Sequence, residues 1–120
     1  MIGGKKLSEQ EKLTELPDVL AGFAGEYPQV WAAYNRLGNA SAEAGPLDDK
    51  SQRLVKLAIA IGAQRQGAVH SHTRRALAAG CTPEELVHVG ILAITTLGWP
   101  GAFAGICWIR DIIARQKERE

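Results

Sequence analysis

Apolar positions recur every three or four residues along most of the chain, and no stretch shows the strict apolar–polar alternation of a half-buried strand. Helices are therefore expected throughout. Ser8 followed three residues later by Glu11 is a capping-box pattern for a short leading helix. A second short helix is expected from about Pro17 to Phe23. Pro28 suits the first turn of a third, whose Val30, Trp31, Tyr34 and Leu37 form a stripe expected to bury one face before the helix fades near Ala44.

Gly45-Pro46 breaks the pattern, and Asp48 or Asp49 can cap the next helix. Its apolar set Leu54, Val55, Leu57, Ala58, Ile59 and Ile61 is almost too continuous for a surface helix, which places it centrally. Gln64 to Gly67 is a polar bend, and a helix from about Ala68 to Ala79 follows, closed by Gly80. Thr82-Pro83-Glu84-Glu85 starts another, with Thr as N-cap, Pro at the first helical position and Glu85 at the third. Its apolar body runs from Leu86 to Leu97. Gly98 to Gly101 breaks the chain again, and a last helix carries Phe103, Ile106, Ile109, Ile112 and Ile113 before a solvated tail, Arg115 to Glu120. An all-α fold follows, with no linker long enough to divide domains, so 1–120 reads as a single domain.

Composition narrows the function classes. The chain has 120 residues, 46% hydrophobic and 22% charged, with a formal net charge of +1. Neither sign of charge dominates, which argues against a nucleic-acid partner or an anionic membrane surface. The longest apolar runs, Leu57 to Ala63 and Val89 to Leu97, fall short of the roughly 20 residues that span a bilayer. The N-terminus has no apolar signal-peptide segment, so the cytoplasm is the expected compartment. Cys81 and Cys107 match neither C-x-x-C nor a zinc spacing and are expected to be free thiols, Cys107 packed in the core and Cys81 on a surface turn.

Histidine is the first place to look for chemistry, because the unperturbed imidazole titrates nearest neutral pH. His70 and His72 share one helix, where two residues of separation turn them roughly 200° apart, so they cannot jointly chelate a metal. No carboxylate or cysteine completes a ligand set with them or with His88, and no metal is expected. The helix stripe Val69, Thr73, Ala76 and Leu77 has His72 at one margin and His70 at the other, with Ser71, Arg74 and Arg75 toward solvent or a partner. A margin histidine is either a structural side chain bonded to a neighbouring helix or a general acid/base in a cleft. No nucleophile elbow, Walker loop, dinucleotide fingerprint or H-E-x-x-H is present.

Gly45 to Val89 resembles the carboxymuconolactone decarboxylase family, which includes the alkyl hydroperoxidase D proteins. The resemblance rests on the Leu-Asp start, the apolar helix, the polar bend, and then His72, Ala76, Leu77, Ala79, Gly80, Thr82, Glu84 and Glu85 in the family's places. Gly98-Trp99-Pro100 is similar to the decarboxylase branch, and the likeness extends over about 28–115, leaving 7–25 as an N-terminal helical extension. It implies an alkyl hydroperoxidase D-like helical fold whose central helical hairpin is shared between subunits, as a homo-oligomer, a hexamer built as a trimer of dimers.

Two departures limit what the resemblance carries. Arg65 and Ala68 stand where the peroxidase branch has its C-x-x-C, and Arg53 stands where that branch has its proton-relay glutamate. Thiol peroxidase chemistry, which needs an activated thiolate and a resolving partner, loses its support. The decarboxylase arm implies a small carboxylated lactone or carbonyl compound as substrate and no cofactor. Losing CO₂ leaves an enolate-like charge, so the chemistry needs cations and one proton donor. By this reading His72 is the general acid/base, Arg53 and Arg65 contact the anion, and Trp99 walls the site. The alternatives are a non-catalytic oligomeric binding or scaffold protein, and a residual thiol peroxidase using Cys81 or Cys107.

Overall fold

A computed structural model describes residues 18–119, and the described residues contain helices and short connections without a strand. The expected helix after Ser8 lies outside them. Among the described residues seven helices follow in order: α1 Asp18–Glu26, α2 Pro28–Glu43, α3 Asp49–Gly62, α4 Gln66–Ala78, α5 Pro83–Leu92, α6 Ile94–Leu97 and α7 Trp99–Glu118. The chain divides into two compact units at Pro46/Leu47. No helix among the described residues is long and apolar enough to cross a membrane.

In the first unit α1 and α2 form a helical pair, with Pro28 in the first turn of α2 as expected. The stripe on α2 behaves otherwise: Val30, Tyr34 and Leu37 are exposed, at 56%, 54% and 66%, and α2 contains no buried residue. Among the described residues the stripe gains a ring contact, Trp31 against Tyr34 with centroids 5.8 Å apart.

The second unit holds the main core: Leu57, Ala60 and Ile61 from α3, Val69 and Ala76 from α4, Cys81, Leu86 from α5 and Ile109 from α7. Each large side chain buried there contributes about 1.5–3 kcal/mol relative to leaving it exposed. The α3 helix packs chiefly on α4, and α7 packs on both α4 and α5. Close approach to α7 requires Gly105: a Cβ there would lie 2.8 Å from Ile61 Cγ2. The other face of α3, with Val55 and Ile59 exposed at 45% and 66%, takes no part in this core.

Local chemistry sets the boundaries. Asp48 accepts from the Ser51 N–H at 2.7 Å and caps α3, which holds its carboxyl below the usual range. Thr82 and Glu85 form the reciprocal capping box at the start of α5, at 2.8 and 3.1 Å. The polar bend is shorter than expected, since Gln66 and Gly67 are already helical. Gln64 makes the turn at φ 55°, and its side-chain amide donates to the Ile61 carbonyl at 2.8 Å and to the Gly101 carbonyl of α7 at 2.9 Å. Only Gly98 interrupts the chain before α7, at φ 93°. The expected tail is helical to Glu118 because Arg115, Gln116, Lys117 and Glu118 are good helix formers and cations suit a helix C-terminus.

Both cysteines are free, and their expected places are exchanged. Cys107 is exposed on α7, while Cys81 is buried. Beyond α4 the Cys81 N–H donates to the Ala76 carbonyl at 3.0 Å and the Gly80 N–H to the Leu77 carbonyl at 3.1 Å. That is a Schellman closure, with Gly80 at φ 99°, and its characteristic contact folds Cys81 inward against Ala76.

Candidate functional site

The helical hairpin of α3 and α4 assembles the chemistry. On α3, Arg53 and Lys56 are three residues apart and so share a face; on α4, His72 and Arg75 do the same. Thr73, fully buried beside His72, donates its hydroxyl to the Val69 carbonyl at 2.7 Å and keeps the helix seated. His72 is thereby held half-buried at the margin of the core.

Its environment is one-sided. Burial first, then the positive charges of Arg75, Lys56 and Arg53, hold the imidazole below its ordinary range, so it is neutral at pH 7. Its Nδ1 is buried without a hydrogen-bond partner, and so is Arg53 Nε. Asp49 lies 3.5 Å from that same Nε, close enough to attract the charge but not to complete a hydrogen bond. Two buried polar atoms left without hydrogen-bond partners are a local cost to the fold.

The other expected site residues are placed differently. Arg65 is the exposed N-cap residue of α4 and is not among the groups acting on His72. Trp99 opens α7, exposed at 55%, with its ring stacked on Phe103 at 4.8 Å. Of the expected anion contacts, Arg53 alone is among the charges acting on the imidazole. Lys56 and Arg75 join it, and three-residue spacing from Arg53 and from His72 was the signal that could have found them. His70 pairs instead with Asp111 of α7 at 3.0 Å, and His88 is exposed.

Near the starts of α3 and α5, Lys50 pairs with Glu85 at 2.6 Å, which lowers the carboxyl's range and raises the amine's. The thiol of Cys81 is pushed up by burial and then by Glu85, which leaves it protonated and a poor nucleophile. No group of three or more His, Cys, Asp or Glu side chains among the described residues is placed to hold a metal ion.

Comparison with known proteins agrees with the helical fold. Over 51 residues, 42% of this chain, the sequence is 35% identical to an uncharacterised protein of Haemophilus influenzae, and the chain spans less than half the length of that relative, 45%. An apo carboxymuconolactone decarboxylase family protein from Legionella pneumophila superposes with a TM-score of 0.64 and 26% identity, over 78% of this chain and 86% of that one. A proposed carboxymuconolactone decarboxylase from Burkholderia xenovorans shares the fold, with a TM-score of 0.62 and 20% identity over 90% and 87% of the two chains. The family model matches residues 28–111, and the chain belongs to the carboxymuconolactone decarboxylase family.

Proposed function

We propose that the chain is a cofactor-free lyase of decarboxylase type, acting on a small carboxylated lactone or carbonyl compound. The observation that carries this reading is the neutral, half-buried His72 under the charges of Arg75, Lys56 and Arg53, with its buried Nδ1 left without a hydrogen-bond partner. An anionic substrate is attracted by these charges. As CO₂ departs, the electron pair collects on an enolate oxygen, where fixed cations stabilise it far more than water does in a partly desolvated site. His72 then manages the proton on carbon. Arg53 is the anion contact; Arg65 and Trp99 serve only if substrate reaches the exposed end of α4 or the start of α7.

The family's other branch fits less well. A peroxidase needs a thiolate and a resolving neighbour, whereas here one thiol is buried and held protonated and the other is exposed on a different element. Homo-oligomerisation belongs to the proposal: Val55 and Ile59 on α3, with Ile91 and Leu92 on α5, expose apolar surface that suits a second copy. The test is CO₂ release from a panel of small lactone carboxylates and β-keto acids, with light scattering on the same sample. Turnover that His72→Gln abolishes supports the reading, and a monomer with no turnover on any of the panel overturns it.

A further inference from the structure

Arg74 is the cation of α4 that the proposed function leaves unused, and the register of α4 against α7 places its neighbours. Gln64, just before α4, donates to the Gly101 carbonyl at 2.9 Å, and further along both helices His70 Nε2 meets Asp111 Oδ2 at 3.0 Å. The two ties ascend together, so α4 and α7 run in broadly the same direction. One turn beyond His70, on the same face, stands Arg74; one turn beyond Asp111 stands Arg115, and the next turn brings Arg119, whose backbone is still helical. Opposite charges therefore meet at one level of the helix pair, and like charges face each other at the next.

Arg74 and Arg75 are partly buried, while Arg115 and Arg119 are exposed. None of the ion pairs among the described residues engages any of the four. Burial and then the charges of Arg115, Arg75 and Arg119 lower the range of Arg74, and no carboxylate acts on it. It stays charged all the same, as a guanidinium does in any protein. The C-terminal ends of α4 and α7 contribute about half a negative charge each, and Glu118 is offset by Lys117 beside it. Four guanidiniums against that dipole charge leave the place strongly positive.

We propose that Arg74, Arg75, Arg115 and Arg119 bind an anion with two linked phosphates, free pyrophosphate or the diphosphate of a nucleotide. A planar guanidinium donates two parallel N–H groups to phosphate oxygens, and arginine rather than lysine holds all four positions. Packed helices lie about 8–10 Å apart, so one phosphate satisfies the forks of one helix and a linked pair bridges both. The site is for binding, and no bond is made or broken there. It stands apart from the chemistry proposed at His72, because Arg74, Arg115 and Arg119 are not among the charges acting on that imidazole.

The experiment is isothermal titration calorimetry with pyrophosphate, ADP, orthophosphate and sulfate at one fixed ionic strength, so that general screening is the same for all. Pyrophosphate or ADP is expected to bind at least about tenfold more tightly than orthophosphate or sulfate, and the tighter of the two names the source. Arg74→Gln and Arg115→Gln should each weaken that binding about tenfold, whereas Arg65→Gln, which removes the same charge before the opposite end of α4, should change it less than about twofold. Arg115→Glu sets a carboxylate opposite Arg74, so it should abolish binding and raise the urea midpoint; being at an exposed position, it keeps the test open if Arg74 variants fold poorly. Equal affinity for pyrophosphate and sulfate overturns the proposal, as does an equal loss in Arg65→Gln. A lowered midpoint in Arg115→Glu removes the juxtaposition on which it stands. Displacement of pyrophosphate by an equal concentration of hexaglutamate would make an acidic peptide the partner and overturn the phosphate assignment.

Discussion

Two sides of α4 treat the same side chain in opposite ways. On one, His70 is held through Nε2 by Asp111 of α7 at 3.0 Å, its side chain only 14% exposed. On the other, His72 meets α3 with a buried Nδ1 that nothing satisfies and with Arg53, Lys56 and Arg75 as its charged neighbours. A satisfied imidazole ties helices together. An unsatisfied one in a positive field costs stability, and such a cost is retained where a ligand or a reaction uses the group.

The largest expected difference between the sides is in turnover. Once a substrate is found, His72→Gln is expected to lower kcat by about 10² to 10⁴, the usual loss of a general acid/base, and His70→Gln by less than about threefold. Comparing the two at equal folded fraction checks the assignment. Equal losses would erase the functional contrast.

Stability is expected to order them the other way. Either His70→Gln or Asp111→Asn removes a partly shielded interhelical hydrogen bond and should cost about 0.5–1.5 kcal/mol in urea unfolding. His72→Gln should fall within about 0.5 kcal/mol of wild type, because it breaks no hydrogen bond. A larger loss at His72 than at His70 would make His72 the structural histidine.

How far this contrast can be read from sequence depends on whether a feature is local. Helical spacing located α3, α4, α5 and α7 but ran α5 on to Leu97 without separating α6, and Thr82-Pro83-Glu84-Glu85 specified its own cap. The divergence of His70 and His72 followed from helix geometry alone. The partners did not, because Asp111 lies 41 residues from His70 and Arg53 meets His72 only through the α3–α4 hairpin. Gln64 escaped notice for a related reason: glutamine at positive φ is uncommon, and its bond to Gly101 spans 37 residues. Cys81 was misplaced because Gly80 marks the end of a helix without showing that the closing turn folds the next residue inward. The α2 stripe had the right period, but periodicity cannot report whether a neighbour covers it.

A pH series sharpens the comparison further. With its folded value below 6.5, His72 binds fewer protons in the folded than in the unfolded chain between those two values. Stability is therefore expected to fall as pH drops from about 6.5 through the folded value, the full contribution being kept only above about 6.5. In His72→Gln that part of the slope should vanish. Urea midpoints measured from pH 7.5 downward check this, and an unchanged slope in the variant would place the pH dependence on other groups.

The smallest effect tests which charges act on His72. Desolvation comes first among the causes of its shift, followed by Arg75, Lys56 and Arg53 in that order. Arg75→Gln should therefore raise the His72 midpoint most, Lys56→Gln less and Arg53→Gln least, each followed through the imidazole proton signals by NMR. All three variants should still titrate below 6.5, since burial remains when a charge is removed. Lys50→Gln is the control, because Lys50 is engaged with Glu85 and does not act on the imidazole. Raising salt should shrink the differences among the three without removing the common depression, as mobile ions screen charges but do not rehydrate a buried ring. If Lys50→Gln moved His72 as far as Arg75→Gln did, the positive field would be diffuse over the unit, and the contrast with His70 would rest on hydrogen bonding alone.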